Sequence, residues 1–146
     1  MNEPFVTPLR RIATPGGEVL HALKAVEDSF AGFGEAYFST VDHGAIKGWK
    51  RHRRMTLNLV VPVGLVEFVT QDEQADGTRR SRRFVIGAAG DDYARLTVPP
   101  GIWMAFSGRA DGLNLVLNVA DIGHDPDEAD RAEPDAFPFD IESAHD

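Results

Sequence analysis

The sequence predicts an all-β protein, folded as a double-sheet jelly roll with a short C-terminal extension, and three observations lead to this prediction. Short runs rich in β-branched and aliphatic residues recur at intervals of roughly 8–12 residues, as they do in sandwiches and barrels. Most runs end at a turn that contains Gly or Pro, of which Pro99-Pro100-Gly101 is the clearest. Almost no stretch has the periodicity of an amphipathic helix.

Each predicted strand lies between two such turns. Residues 18–26 fit either a strand or a short helix, and we prefer the strand. The runs 55–61 and 65–70 flank Pro62-Val63-Gly64, and they form either a hairpin or one strand with a bend. Besides these, the expected strands are 36–41, 79–86, 93–98, 103–107 and 113–120, with loops at 29–34 and 87–92.

The length of 146 residues predicts a single domain, 1–146, that is long enough to bury a core. We expect that core at about residues 18–122. A Pro-rich edge strand or arm, 4–15, precedes it. The acidic segment 123–146 should follow as a peripheral helix or a wrapping extension, because it has few apolar residues to bury.

Composition excludes several classes of protein. There is no cysteine, which excludes disulfides, thiolate zinc sites and a cysteine nucleophile. No apolar run is long enough for a membrane helix, and the N-terminus lacks the layout of a signal peptide, so a cytoplasmic protein without membrane contact is expected. The net charge of −8 argues against nucleic acid as a partner.

Lysine and arginine are nevertheless concentrated at residues 47–54, which lie within the segment 44–64. Side chains alternate along a strand, so Gly48, Lys50, His52 and Arg54 should share one face. Inside a barrel that face would form a cationic pocket with one group that titrates near neutral pH. The alternative is a solvated edge strand whose charges prevent aggregation.

Three segments, in this order, resemble the sugar-nucleotide branch of the cupins, the dTDP-4-dehydrorhamnose 3,5-epimerases and dTDP-4-keto-6-deoxyhexose 3,4-ketoisomerases. They are 39–48, the turn Leu96-Thr97-Val98-Pro99-Pro100-Gly101-Ile102, and the strand and Pro-Glu-like segment 118–130. The resemblance covers roughly residues 35–130. It implies a cupin-like barrel, an epimerase or isomerase of a nucleotide-linked 4-keto-6-deoxy sugar, a role in surface polysaccharide synthesis, and a homodimer.

Several family positions differ in this chain. Lys50 and Met104 stand where the epimerases have histidines, and no tyrosine lies near Leu117-Asn118, where the family has its acid. His52 matches the second histidine of the ketoisomerase His-x-His pair. These losses leave a second hypothesis open, in which the chain is an inactive sugar-nucleotide-binding cupin or a scaffold.

The resemblance implies a reaction that removes a proton next to a ketone, which requires a base and a group that stabilises the enolate. We expect His52 to be the base and Lys50 to stabilise the enolate, or Lys50 itself to be the base. Asp121 would orient one of them. Tyr93 is a candidate proton donor and substrate contact.

The remaining candidates concern substrate binding. Lys47, Arg54 and Arg51 are candidates for the diphosphate, and Trp49 or Trp103 for stacking on the base or sugar. Neither a metal nor another cofactor is expected, because one imidazole in the first cupin motif and none in the second cannot complete a three-ligand site.

Overall fold

The computed structural model describes residues 3–88 and 92–139, which form two packed antiparallel sheets. The strands are β1 Phe5–Pro8, β2 Arg11–Thr14, β3 Gly17–Leu20, β4 Glu35–Thr40, β5 Ile46–His52, β6 Leu57–Val63, β7 Leu65–Glu73, β8 Arg79–Gly87, β9 Ala94–Val98, β10 Trp103–Gly108, β11 Leu115–Ala120 and β12 Ala129–Arg131. The first sheet has the order β1-β9-β6-β11-β4, and the second has the order β12-β5-β10-β7-β8. A ribbon of β2 and β3 stands apart. The predicted all-β double-sheet jelly roll is confirmed.

The core lies between the sheets. Apolar side chains from every second position of the long strands fill it, because those positions point to the inner face. It is built mainly from Leu57, Leu59, Val61, Val66, Phe68, Ile86, Leu96, Val98, Ile102 and Val116.

The described residues contain no helix that is long and apolar enough to cross a membrane.

The strand predicted at residues 18–26 ends at Leu20. The next segment crosses the outer face of the first sheet, where Arg95 holds it. Arg95 is fully buried and donates hydrogen bonds to the Ala22 carbonyl at 2.6 Å and to Ser29 Oγ at 2.7 Å. The segment after Leu20 is therefore held by hydrogen bonds from the buried Arg95 guanidinium and does not continue as a strand.

The segments 55–61 and 65–70 form a bend and not a hairpin. β6 pairs with β9 and β11, whereas β7 pairs with β8 and β10 in the other sheet. Gly64 makes the corner with a φ of 88°, and a Cβ there would lie 2.4 Å from the Leu113 carbonyl oxygen. Only glycine fits this turn without displacing backbone.

Both ends of the chain add strands outside the predicted core of 18–122. β1 pairs with β9, and β12 pairs with the basic strand β5. The acidic extension is thus a wrapping segment that completes the second sheet. Residues 140–146 of the predicted extension and 89–91 of the predicted loop at 87–92 lie outside the described residues.

Candidate functional site

A cavity of about 300 Å³ lies between the two sheets. Its two walls differ in chemistry. The second sheet contributes the cationic wall, with Lys47, Gly48, Lys50, His52, Met104 and Phe106, and the first sheet contributes Tyr37, Ser39, Leu57, Leu59, Val116 and Asn118. Lysines and an imidazole therefore face a phenol, a hydroxyl and an amide across a partly apolar space.

A bulge in β5 determines which basic residues enter the cavity. Lys50 pairs with Met104 and Gly48 pairs with Ala105, so Trp49 is the extra residue. Gly48 has a φ of 134°, and a Cβ there would lie 2.7 Å from the Ala105 Cα, so glycine is required. The bulge places Lys47 on the same face as Lys50, which strict alternation does not predict.

His52 has a carboxylate partner that the sequence did not reveal. Its Nδ1 lies 2.7 Å from Glu128 Oε1, and the Glu128 side chain is only 1% exposed. Glu128 Oε2 also accepts the backbone N–H groups of Arg54 at 2.9 Å and Met55 at 2.8 Å. Burial would raise the pKa of this carboxyl, but the hydrogen bonds from His52 and the two amides outweigh it and lower the pKa to about 2.

This charge state fixes the histidine tautomer. An ionised carboxylate only accepts hydrogen bonds, so the proton of a neutral His52 must sit on Nδ1. The other ring nitrogen, Nε2, then carries the lone pair. A neutral imidazole with its Nδ1–H held by a carboxylate is the arrangement of a general base.

Glu128 reaches this position through a short turn. Asp125 caps a 3-10 turn, Pro126–Glu128, by accepting the Asp127 N–H at 3.0 Å, and proline occupies the first helical position where it is well tolerated. The sequence Asp-Pro-Asp-Glu is thus a local start signal. It predicts a turn here, but it does not say that the fourth residue meets a histidine 76 positions earlier.

The two cavity lysines are in different electrostatic environments. Burial lowers the pKa of Lys50, and the positive charge of Arg131 lowers it further, with Glu128 opposing. Lys47 donates a hydrogen bond from Nζ to the Thr40 carbonyl at 3.0 Å, which ties β5 to the edge strand of the other sheet. Lys50 is also the more buried of the two, so solvent screens its ammonium less from a bound anion.

Tyr37 and Asn118 form the polar part of the opposite wall. Asn118 Oδ1 accepts the backbone N–H of Asn58 at 3.2 Å, so its Nδ2 faces Tyr37 and donates to the phenol oxygen at 3.1 Å. The Tyr37 hydroxyl already accepts this bond, and its own proton remains to be donated. Neither residue was among the sequence candidates, and the β4–β11 register that brings them together is not visible in the sequence.

Arg54 and Arg51 do not line this cavity, contrary to the pocket face predicted for Arg54. β5 ends at His52, and the exposed Arg54 guanidinium pairs with Asp125 at 3.0 Å. Arg51 lies on the outer face, where it pairs with Asp130 at 2.9 Å and stacks 4.7 Å from the centre of the Trp103 ring. The acidic extension thus neutralises Arg51 and Arg54, whereas Lys47, the third candidate for the diphosphate, lines the cavity.

The aromatic candidates also lie elsewhere. Trp49 is 1% exposed and packs against Phe137 on the outer face of the second sheet, because the bulge turns it away from the cavity. Trp103 contacts the same phenylalanine. Tyr93 donates its hydroxyl proton to the His21 carbonyl at 2.8 Å, outside the cavity, and burial raises its pKa.

Asp121 does not orient His52 or Lys50. Its Oδ1 accepts the backbone N–H of Thr56 at 2.8 Å, and Glu128 has the orienting position instead. Within residues 3–88 and 92–139, no three His, Asp or Glu side chains are grouped as a metal site would require. The expectation of a metal-free, cofactor-free site stays a prediction.

The sequence matches no protein-family model, and no curated protein matches it either. Among solved structures, a dTDP sugar isomerase from Desulfovibrio desulfuricans G20 is 38% identical, with a TM-score of 0.85 over 91% of this chain and 85% of that chain.

Two more distant structures share the fold. A variant of a 3,4-ketoisomerase from Thermoanaerobacterium thermosaccharolyticum, in complex with TDP-4-keto-6-deoxyglucose, is 16% identical over 90% of this chain and 89% of that chain, with a TM-score of 0.73. The dTDP-4-dehydrorhamnose 3,5-epimerase from Bacillus anthracis, with TDP and PPi bound, is 18% identical over 98% and 89%, with a TM-score of 0.78. From its identity to the Desulfovibrio protein, the chain belongs to the dTDP-sugar isomerases, and it shares the cupin-like jelly-roll fold with the two more distant structures.

Proposed function

We propose that this protein is an epimerase of a dTDP-linked 4-keto-6-deoxy sugar and that it begins by removing a proton next to the ketone. The observation that carries the proposal is the pair of His52 and Glu128, which presents an imidazole to a cavity of about 300 Å³ between the sheets. A distant relative was crystallised with TDP-4-keto-6-deoxyglucose, and this supports the substrate class. An intact dyad in an open cavity also favours an enzyme over an inactive binding protein.

The first step follows from the tautomer of His52. Its Nε2 takes the proton from the carbon beside the ketone, and the electron pair of that C–H bond moves into an enolate whose oxygen becomes negative. The imidazolium that forms is stabilised by Glu128, which stays ionised because its pKa is about 2. Lys50 lies two residues before His52 and lines the same cavity, and its ammonium would stabilise the enolate oxygen.

The second step needs a proton from the other side of the sugar. His52 belongs to the second sheet and Tyr37 to the first, so a sugar between the walls has a base on one face and a phenol on the other. Donation of the Tyr37 proton to the carbon inverts that centre, and the phenolate left behind is stabilised by the Asn118 amide and reprotonated by solvent. The His52 imidazolium releases its proton to solvent, which restores the base. Base and acid on opposite walls favour epimerisation over transfer on one face.

The direct test is to incubate the protein with dTDP-4-keto-6-deoxyglucose in heavy water and to follow the sugar protons by NMR. We expect loss of the C3 or C5 proton signal and the appearance of an epimer. A ketone that moves to C3 would instead identify a ketoisomerase. Binding of the substrate without any exchange would contradict the enzyme proposal and favour the inactive binder.

Replacing Tyr37 by phenylalanine should separate the two steps. Loss of the acid should slow epimer formation by about 100-fold or more, the usual range for a positioned proton donor. His52 can still exchange the substrate proton with solvent from its own face, so deuterium should enter without inversion. Both products are measured in the same NMR experiment.

Tyr93→Phe is the matched control, because the Tyr93 hydroxyl binds a backbone carbonyl outside the cavity. It should form the epimer at the wild-type rate. Wild-type epimer formation by Tyr37→Phe would remove Tyr37 from the mechanism.

A cytoplasmic location, a role in surface polysaccharide synthesis and a homodimer remain predictions.

A further inference from the structure

The last described strand, β12, places an arginine beside the cationic wall. β12 pairs with β5 so that Arg131 lies opposite Lys50 and Asp130 lies opposite Arg51. Directly opposed side chains share a face of the sheet. Asp130 and Arg51 pair on the outer face at 2.9 Å, so Arg131 lies on the other face, which is the cavity side. Arg131 is exposed whereas Lys50 is half-buried, so the guanidinium is the more accessible to solvent of the two cations.

The charges around Arg131 are not balanced within the described part of the chain. Three acidic residues of the same segment pair with other bases: Asp125 with Arg54, Glu128 with His52, and Asp130 with both Arg51 and Arg53.

Arg131 and Lys50 have no carboxylate within ion-pair distance in residues 3–88 and 92–139. Arg131 lies directly opposite Lys50 in the β12–β5 register, and its positive charge adds to burial in lowering the pKa of Lys50. Like charges directly opposite each other destabilise a sheet, so this pair costs stability unless an anion joins it.

We propose that Arg131 binds the diphosphate of the sugar nucleotide at the mouth of the cavity, a proposal that rests on the function proposed above. A guanidinium forms two parallel hydrogen bonds with phosphate oxygens, and at the mouth it can do so without losing much hydration. The sugar then extends inward to His52, and Lys50 remains for the enolate oxygen. Arg131 is a positioning residue, and it replaces Arg54 and Arg51 in this role.

The test measures binding by calorimetry, with dTDP and inorganic pyrophosphate as probes, at low and moderate salt. Arg131→Gln should raise the Kd of both probes by about 10- to 100-fold, the range for a lost charge-assisted pair. The salt dependence of binding should weaken as well. In turnover, KM should rise by a similar factor while kcat stays near wild type, because the diphosphate contact is the same in substrate and transition state.

Arg10→Gln is the matched control. Arg10 is also exposed, does not line the cavity, and has no ion-pair partner in the described residues. It should bind both probes as wild type does, and all variants are compared by thermal unfolding. Wild-type affinity of Arg131→Gln for both probes would overturn this inference alone. Failure of the wild-type protein to bind dTDP would overturn it together with the proposed function.

Discussion

Replacing His52 by glutamine should lower the rate of substrate proton exchange by about 10²- to 10⁴-fold, the range for removal of a general base. Glutamine has an amide that can still donate to Glu128, so the buried carboxylate keeps a partner and the fold should persist. What is lost is the ring nitrogen that faces the cavity with a lone pair. The rate is measured as deuterium incorporation by NMR, and circular dichroism checks the fold.

His124→Gln makes the same chemical change at an exposed histidine beyond β11, and it should leave the exchange rate unchanged. Proton exchange at the wild-type rate in His52→Gln would discard His52 as the base. Lys50 would then take that role, since its lowered pKa makes a neutral amine more accessible than in an ordinary lysine. Lys50→Met would decide this, because it removes the amine and keeps the length of the side chain.

Local patterns in the sequence predict much of the fold. The strands at 36–41, 79–86 and 103–107 agree with β4, β8 and β10 to within about one residue, because β-branched runs between turn residues have few other conformations. Alternation also placed Lys50 and His52 on one face, and both line the cavity. Each of these inferences needs only residues that are near each other in the chain.

The sequence does not predict side-chain orientations and ion pairs that depend on residues far away in the chain. Trp49 is a residue type that often stacks on ligands, but the bulge in β5 points it to the outer face, where it packs with Phe137 and Phe139. The bulge depends on the register between β5 and β10, which is not visible in the sequence. The basic residues at 47–54 predict a phosphate site, but Asp130 of β12 forms ion pairs with Arg51 and Arg53. Short-range patterns reveal which side chains share a face, but not which charges will be neutralised from the other end of the chain.

The buried Glu128 carboxylate should stabilise the fold, although the sequence gives no sign of this. The variant Glu128→Gln should reveal that contribution as a loss of stability. The carboxyl has a pKa of about 2 in the folded protein, against an ordinary value of 4.5. Its folded pKa is lowered, so its stabilisation is complete above the unfolded pKa and is lost as the pH falls from about 4.5 to about 2. This difference corresponds to up to roughly 3 kcal/mol of unfolding free energy at pH 7.

Urea unfolding of the wild type and Glu128→Gln should therefore differ most at neutral pH, and the gap should close as the pH approaches 2. Comparing the two proteins cancels the titration of the other acidic residues. Asp127→Asn alters the neighbouring, exposed carboxyl of the same turn and should run parallel to the wild type. Parallel curves for Glu128→Gln would show that the dyad adds nothing to stability. The same variant should also slow proton exchange, because an amide cannot stabilise the His52 imidazolium as a carboxylate does, and the dyad then links the fold to the chemistry.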